Sequence, residues 1–200
     1  MFKSWSLAAI SIAALTIGIT PGLAKQIDGS LDLTGTLKLQ GSWATPTGLT
    51  FVNNKFQVPL GDPGVGDLSF IPDLTIGNIQ NLNLSAFVPI TNFYNITYAG
   101  KTLQFDLDTI DSLTTSLGTV GNSLTLTGSG YFDLTGYDRT PAEFSLTTQC
   151  LKFRNGCALT AKLSFSATTT AEPAPTPEPL TISLFGGGLL GMGMKLRRRG

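Results

Sequence analysis

Histidine is absent from all 200 residues. That absence excludes Ser-His and Cys-His nucleophilic catalysis and every histidine-based zinc site. Cysteine occurs only twice, and a catalytic thiol would lack a neighbouring base. Charged residues are scarce, at 13%. The formal net charge of zero hides a division, because residues 25–176 hold eight Lys and Arg against twelve Asp and Glu, a net charge of −4. An acidic surface without a basic, aromatic-interleaved stripe is not one that seeks phosphate backbones, so nucleic acid is not an expected partner. No cofactor motif and no metal-ligand spacing is present, and no cofactor or resident metal is expected.

What the chain does have is 42% hydrophobic residues and 23 glycines, enough for one domain with a real core and many turns. Alternation of period two marks the strands. In "SLDLTGTLKLQG", Leu31, Leu33, Gly35, Leu37 and Leu39 share a face opposite Asp32, Thr34, Thr36, Lys38 and Gln40. "SLTLTGSGYFDLTG" repeats the arrangement with Leu124, Leu126, Gly128, Gly130, Phe132 and Leu134. Leu103, Phe105 and Leu107 alternate likewise, as do Phe144 and Leu146, and Leu159 through Ala167. Turn signals separate these runs: Asn53-Asn54, "GDPGVGD", Ala99-Gly100, Val120-Gly121, "TGYDRTP" and Asn155-Gly156. The expected fold is all-β, an antiparallel β-sandwich or jelly-roll-like domain over residues 25–168, with a disordered linker at 169–176. One short helix is expected in "DTIDSLTTSLG", where Ile110, Leu113 and Leu117 have helical spacing between Asp108 and Gly118.

The two ends are of another kind. Lys3, the apolar run Trp5 to Ile19 and the small residues Gly22-Leu23-Ala24 form a secretory signal pattern, residues 1–24, with cleavage expected after Ala24. At the other end Pro177-Glu178-Pro179 precedes an apolar, glycine-rich stretch from Leu180 to Met194, and Lys195, Arg197, Arg198 and Arg199 follow. As a helix at about 1.5 Å per residue that stretch spans ~22 Å, short of a ~30 Å hydrocarbon core. Its basic cluster would stop at the cytoplasmic face. An extended Pro-rich peptide, a short apolar helix and a basic stop together form a processing signal; a plain linker and thin anchor share the same physics.

In that order and place, residues 177–200 resemble the PEP-CTERM sorting signal of exopolysaccharide-producing Gram-negative bacteria and cyanobacteria, and "PEPLT" followed by a Gly-rich run is similar to the cyanobacterial form. "GSGYFDLTGYDRTPAEFSLTTQ", Gly128 to Gln149, resembles a segment found just upstream of such tails. The resemblance implies recognition by an exosortase-type sorting enzyme near Pro177-Glu178-Pro179, a membrane-bound precursor, and release or attachment at the cell surface. It implies no chemistry for the domain itself.

Three readings of the domain follow. The leading one is an exported, non-catalytic surface or matrix protein. The second is a carbohydrate-binding module for exopolysaccharide, with Tyr94, Tyr98 and Tyr137, aided by Trp43, as a stacking platform for sugar rings. The third is a histidine-free glycoside hydrolase using Asp106 with Asp108, or Asp133 with Glu143, at a separation of about 5 to 10 Å in a cleft. Asp106 and Asp108 alternate with core residues and read more simply as a solvated strand face. Oxygen ligands for Ca²⁺ are conceivable at Asp62 and Asp67, or at Asp106, Asp108 and Asp111, although neither set has the spacing of a helix-loop-helix site. Cys150 and Cys157 both fall on core faces: a wide loop between them allows a disulfide, favoured by export, while a tight Asn155-Gly156 hairpin leaves two buried thiols.

Overall fold

The structure, a computed structural model, describes residues 25–151, 157 and 161–172. The expected signal segment and the sorting tail, including Pro177, Glu178, Pro179, Lys195, Arg197, Arg198 and Arg199, lie outside the described residues. Among the described residues no helix is long and apolar enough to cross a membrane.

Among the described residues ten strands form one antiparallel sheet: β1 (Ser30–Gly41), β2 (Pro46–Phe51), β3 (Lys55–Gln57), β4 (Ile76–Ile79), β5 (Leu82–Asn83), β6 (Ile90–Tyr98), β7 (Lys101–Leu117), β8 (Gly121–Leu134), β9 (Thr140–Leu151) and β10 (Leu163–Ala171). Two of the short pairs are interrupted single strands. Leu37 faces Phe51 and Thr34 faces Gln57, so three extra residues separate β2 from β3. They are the 3₁₀ turn Val52–Asn54, where Asn53 and Asn54 take left-handed φ of 58° and 52°, a region asparagine tolerates. Between β4 and β5 the Asn81 side chain substitutes for the ladder by accepting the Phe51 amide at 2.8 Å.

Joined in this way, eight strands follow one another in chain order, and β10 pairs back onto β1 with Leu33 opposite Ala167. The domain is therefore a closed eight-stranded antiparallel barrel with extra short strands, not a sandwich or a jelly roll. One-sided alternation is required equally by both architectures. What distinguishes them is the β1–β10 ladder, a long-range pairing that no local pattern encodes.

An eight-stranded barrel encloses a space that side chains just fill. Here Phe51, Phe56, Phe93, Tyr94, Phe105, Phe132, Phe144 and Phe165 occupy it, all buried. Their ring centroids lie 5.2–6.5 Å apart, mostly edge to face, the arrangement that aromatic quadrupoles favour. Glycines make room for this filling. Gly35 lies opposite Phe165, and a Cβ there would stand 2.6 Å from the ring. One rim is plugged by the buried Ile27, Val58, Leu68 and Ile71 from the N-terminal segment and the β3–β4 loop. Trp43, buried in the β1–β2 turn, packs at the other.

Two further expectations need correction. The segment expected to be a helix is the second half of β7. β7 slips register against β8 between Leu107 and Thr109 and again between Ile110 and Ser112. Each bulge adds a residue, so the inward positions fall at Leu107, Ile110 and Leu113, opposite Gly130, Gly128 and Leu126. Two bulges thereby imitate helical spacing. At the far end, β10 continues through Thr169, Thr170 and Ala171 in register with Phe144, Glu143 and Ala142. The boundary placed after residue 168 therefore cuts the last strand.

Candidate functional site

The three tyrosines of the expected platform are not brought together. Tyr94 points into the barrel and is buried among Phe56, Phe105 and Phe132. Burial raises its hydroxyl pKa, and the hydroxyl faces Thr169 Oγ1, itself buried. Tyr98, at the end of β6, is 43% exposed. Tyr137, in the β8–β9 turn, is half-buried and donates to Asp67 Oδ1 at 3.3 Å. Trp43 is interior as well. Alternation breaks within β6, where the adjacent Phe93 and Tyr94 are both buried beside the register shift to β7, and the bulk of its aromatic segment fills the core.

Cys150 and Cys157 are joined in a disulfide with Cα atoms 5.3 Å apart. It ties the end of β9 to the loop before β10.

The carboxylates separate rather than converge. Asp106 is not solvated: its outward side chain is 11% exposed, covered by the Arg139 guanidinium at 2.9 Å. It also accepts the Asn92 amide at 2.7 Å and Gln104 Nε2 at 2.9 Å. Arg139 in turn lies over the Tyr131 ring at 4.3 Å. The cluster fixes the irregular part of β6, where Asn92 has a φ of 56° and the register to β7 shifts. Nothing in the sequence spacing of Asn92, Asp106 and Arg139 signals it. Asp133 and Glu143 are far apart, because Glu143 faces Ser129 and four residues of strand separate Ser129 from Asp133, about 13 Å. Asp111 and Glu143 do line one shallow depression of about 300 Å³ with Thr127, Ser145, Thr168 and Thr170. They stand on strands two apart, roughly 10 Å, on an open face that does not exclude water.

The calcium candidates divide in the same way. Asp67 is held by Lys25 at 2.5 Å and by the Asp28 amide at 2.9 Å. The hydrogen bond from Lys25 and then that from Asp28 lower its pKa, and the bond to Asp67 raises that of Lys25. Asp62 instead sits beside Asp32, whose hydrogen bond and negative charge raise its pKa. Among the described residues no three metal-ligating side chains gather at one point.

Sequence reasoning did not anticipate the outer face as a surface in its own right. Strands β8, β9, β10 and β1 present Ser123, Thr125, Thr147, Gln149, Ser164, Ser166 and Thr34 around an open groove of about 480 Å³. All are uncharged and hydroxyl- or amide-bearing. The signal was present in the polar half of each alternating run. What such a face can do chemically is donate and accept hydrogen bonds to neutral polar groups; the residues that line it include hydroxyls but no charged side chain and no base to activate them.

No protein-family model, no curated protein and no solved structure matches this chain.

Proposed function

We propose that this is an exported, non-catalytic protein of the cell surface or extracellular matrix, delivered by its N-terminal signal and sorted through its PEP-CTERM-like tail by an exosortase-type enzyme. The observation that carries the non-catalytic part is the filled barrel: eight interior rings occupy the space in which a barrel protein would hold a substrate. Two further observations support the processing. Cleavage after Ala24 leaves intact the Lys25 contacts to Asp67 and Asp138. A disulfide at Cys150–Cys157 fits an oxidising compartment.

The experiment is the intact mass of the protein isolated from its host's surface and culture medium. A mass lacking residues 1–24 and everything beyond about Pro179 supports cleavage at both ends. A mass that retains Leu180 to Gly200 overturns the sorting reading in favour of a simple anchor.

A second reading, binding of a neutral exopolysaccharide, has one observation in its favour, the hydroxyl-lined groove over β8, β9, β10 and β1. It no longer rests on the tyrosines. Retention on the host polysaccharide, lost on substituting Thr125 and Thr147 together with lysine, is the outcome it requires.

A further inference from the structure

We propose that the free edge of β7 pairs with the same edge of a second copy of this chain, joining two barrels through one antiparallel ladder. The edge exists because β6 is shorter than its neighbour. β6 accompanies β7 only as far as Leu107, opposite Ile90, whereas β7 continues to Leu117. From Asp108 onward the side of β7 away from β8 has no strand beside it among the described residues. Alternate backbone N–H and C=O groups there point outward, a template for another strand.

The two bulges end at Ser112, after which Ser112 to Leu117 run in regular register with Thr127 to Asn122. Bulges and aspartates are devices that discourage edge pairing, and on β7 both Asp108 and Asp111 and both bulges lie before this stretch. The regular stretch, Ser-Leu-Thr-Thr-Ser-Leu, carries no charge. Leu113 and Leu117 lie on one face of it, 38% and 58% exposed, and Val120 in the adjoining turn is also exposed.

The occupant follows from self-complementarity. With a two-fold axis through Thr115, Leu113 lies opposite the partner's Leu117, Thr115 opposite its own copy, and Leu117 opposite the partner's Leu113. All three pairs share a face, a pattern of cross-strand aliphatic and Thr–Thr contacts that stabilises antiparallel ladders. On the other face Thr114 meets the partner's Ser116. Asp111 falls opposite the partner's Thr119, so no like charges meet. Such an isologous contact closes after two copies and builds no fibre. It adds a strand edge and a small apolar strip, less than a standard interface, so the association is weak and concentration-dependent.

The test uses the full chain in mild detergent, with Thr115→Cys as reporter and Lys38→Cys, on the outer face of β1, as control. On the two-fold axis the introduced thiols lie within reach of a disulfide, so Thr115→Cys should give roughly tenfold more cross-linked dimer under mild oxidation than Lys38→Cys. Adding Leu117→Lys should return Thr115→Cys to the control level, and circular dichroism checks that the barrel persists, since Leu117 is not a core residue. Equal cross-linking of the two cysteine variants would mean that the apolar terminal segments drive association. That result, absence of a Thr115→Cys dimer, or a dimer indifferent to Leu117→Lys overturns the proposal.

Discussion

Asp106→Ala separates two contributions of the buried carboxylate to the stability of the barrel. Asp106 accepts three hydrogen bonds, from the Asn92 amide, Gln104 Nε2 and Arg139 Nη2. The Asn92 amide is part-buried and belongs to a residue with left-handed φ, so losing its acceptor both strands a backbone donor and releases the β6 irregularity. A hydrogen bond to a charged group contributes about 1.5–3 kcal/mol. The Arg139 side chain is 52% exposed, and half-exposed ion pairs contribute only about 0–1 kcal/mol. Asp106→Ala is therefore expected to cost about 2–3 kcal/mol and Arg139→Ala less than about 1 kcal/mol. At about 2.1 cal/mol/K per residue, a domain of roughly 150 residues unfolds with an entropy near 0.3 kcal/mol/K. The expected fall in Tm is then about 8 °C for Asp106→Ala and about 3 °C or less for Arg139→Ala. Differential scanning calorimetry at neutral pH measures both. Equal losses for the two variants would refute the reasoning, because the carboxylate would then act through the guanidinium and not through the strand it holds.

Gly130→Ala would drive a Cβ into the Asp106 carbonyl oxygen across the β7–β8 ladder, so a loss of about 1–3 kcal/mol is expected in urea unfolding, and an unchanged midpoint contradicts the close approach. Reducing Cys150–Cys157, whose partners are seven residues apart, should cost about 2.5 kcal/mol by the loop-closure relation, read as a drop in Tm with reductant. The Asp67 carboxyl has a lowered pKa, so its contribution is present above about pH 4 and is lost as pH falls through the lower folded value. Lys25, raised by the same contact, contributes below about pH 10.4 and loses that contribution as pH rises through its higher folded value. A Tm–pH profile of Asp67→Asn should show both limbs flattened. Asp62 has the opposite sign, its pKa being raised by Asp32; Asp62→Asn should leave Tm higher at pH 7 and unchanged well below pH 4, and a lower Tm at pH 7 contradicts the repulsion.

The strands were legible because each is wetted on one side only: Leu31 to Leu39 and Leu124 to Leu134 announce their inner faces residue by residue. Closure was not, since the ladder between β1 and β10 unites the two ends of the domain and leaves no mark on either alone. The β7 bulges were misleading in a definite way, because an inserted residue changes the apparent period from two to three. The tyrosines failed for a related reason. Alternation specifies which residues share a face but not whether that face is inside, and Tyr94 lies on the same side of the sheet as Phe105. Asp106 shows the converse, an outward residue sealed by Arg139 from the β8–β9 turn, a contact that depends on where Arg139 arrives in space.

An even number of strands winding up and down brings the chain back to where it began. Ser30 pairs with Thr170, the Ala171 amide donates to the Gly29 carbonyl, and Glu172 bonds Pro141 in the neighbouring turn. Lys25 and Glu172 thus leave the same rim. A tether at either terminus holds that rim down and turns the opposite one outward, where Trp43, the Cys150–Cys157 crosslink and the tip of the β7–β8 hairpin stand. The molecule has a base and a crown, and the strand edge with Leu113 and Leu117 belongs to the crown.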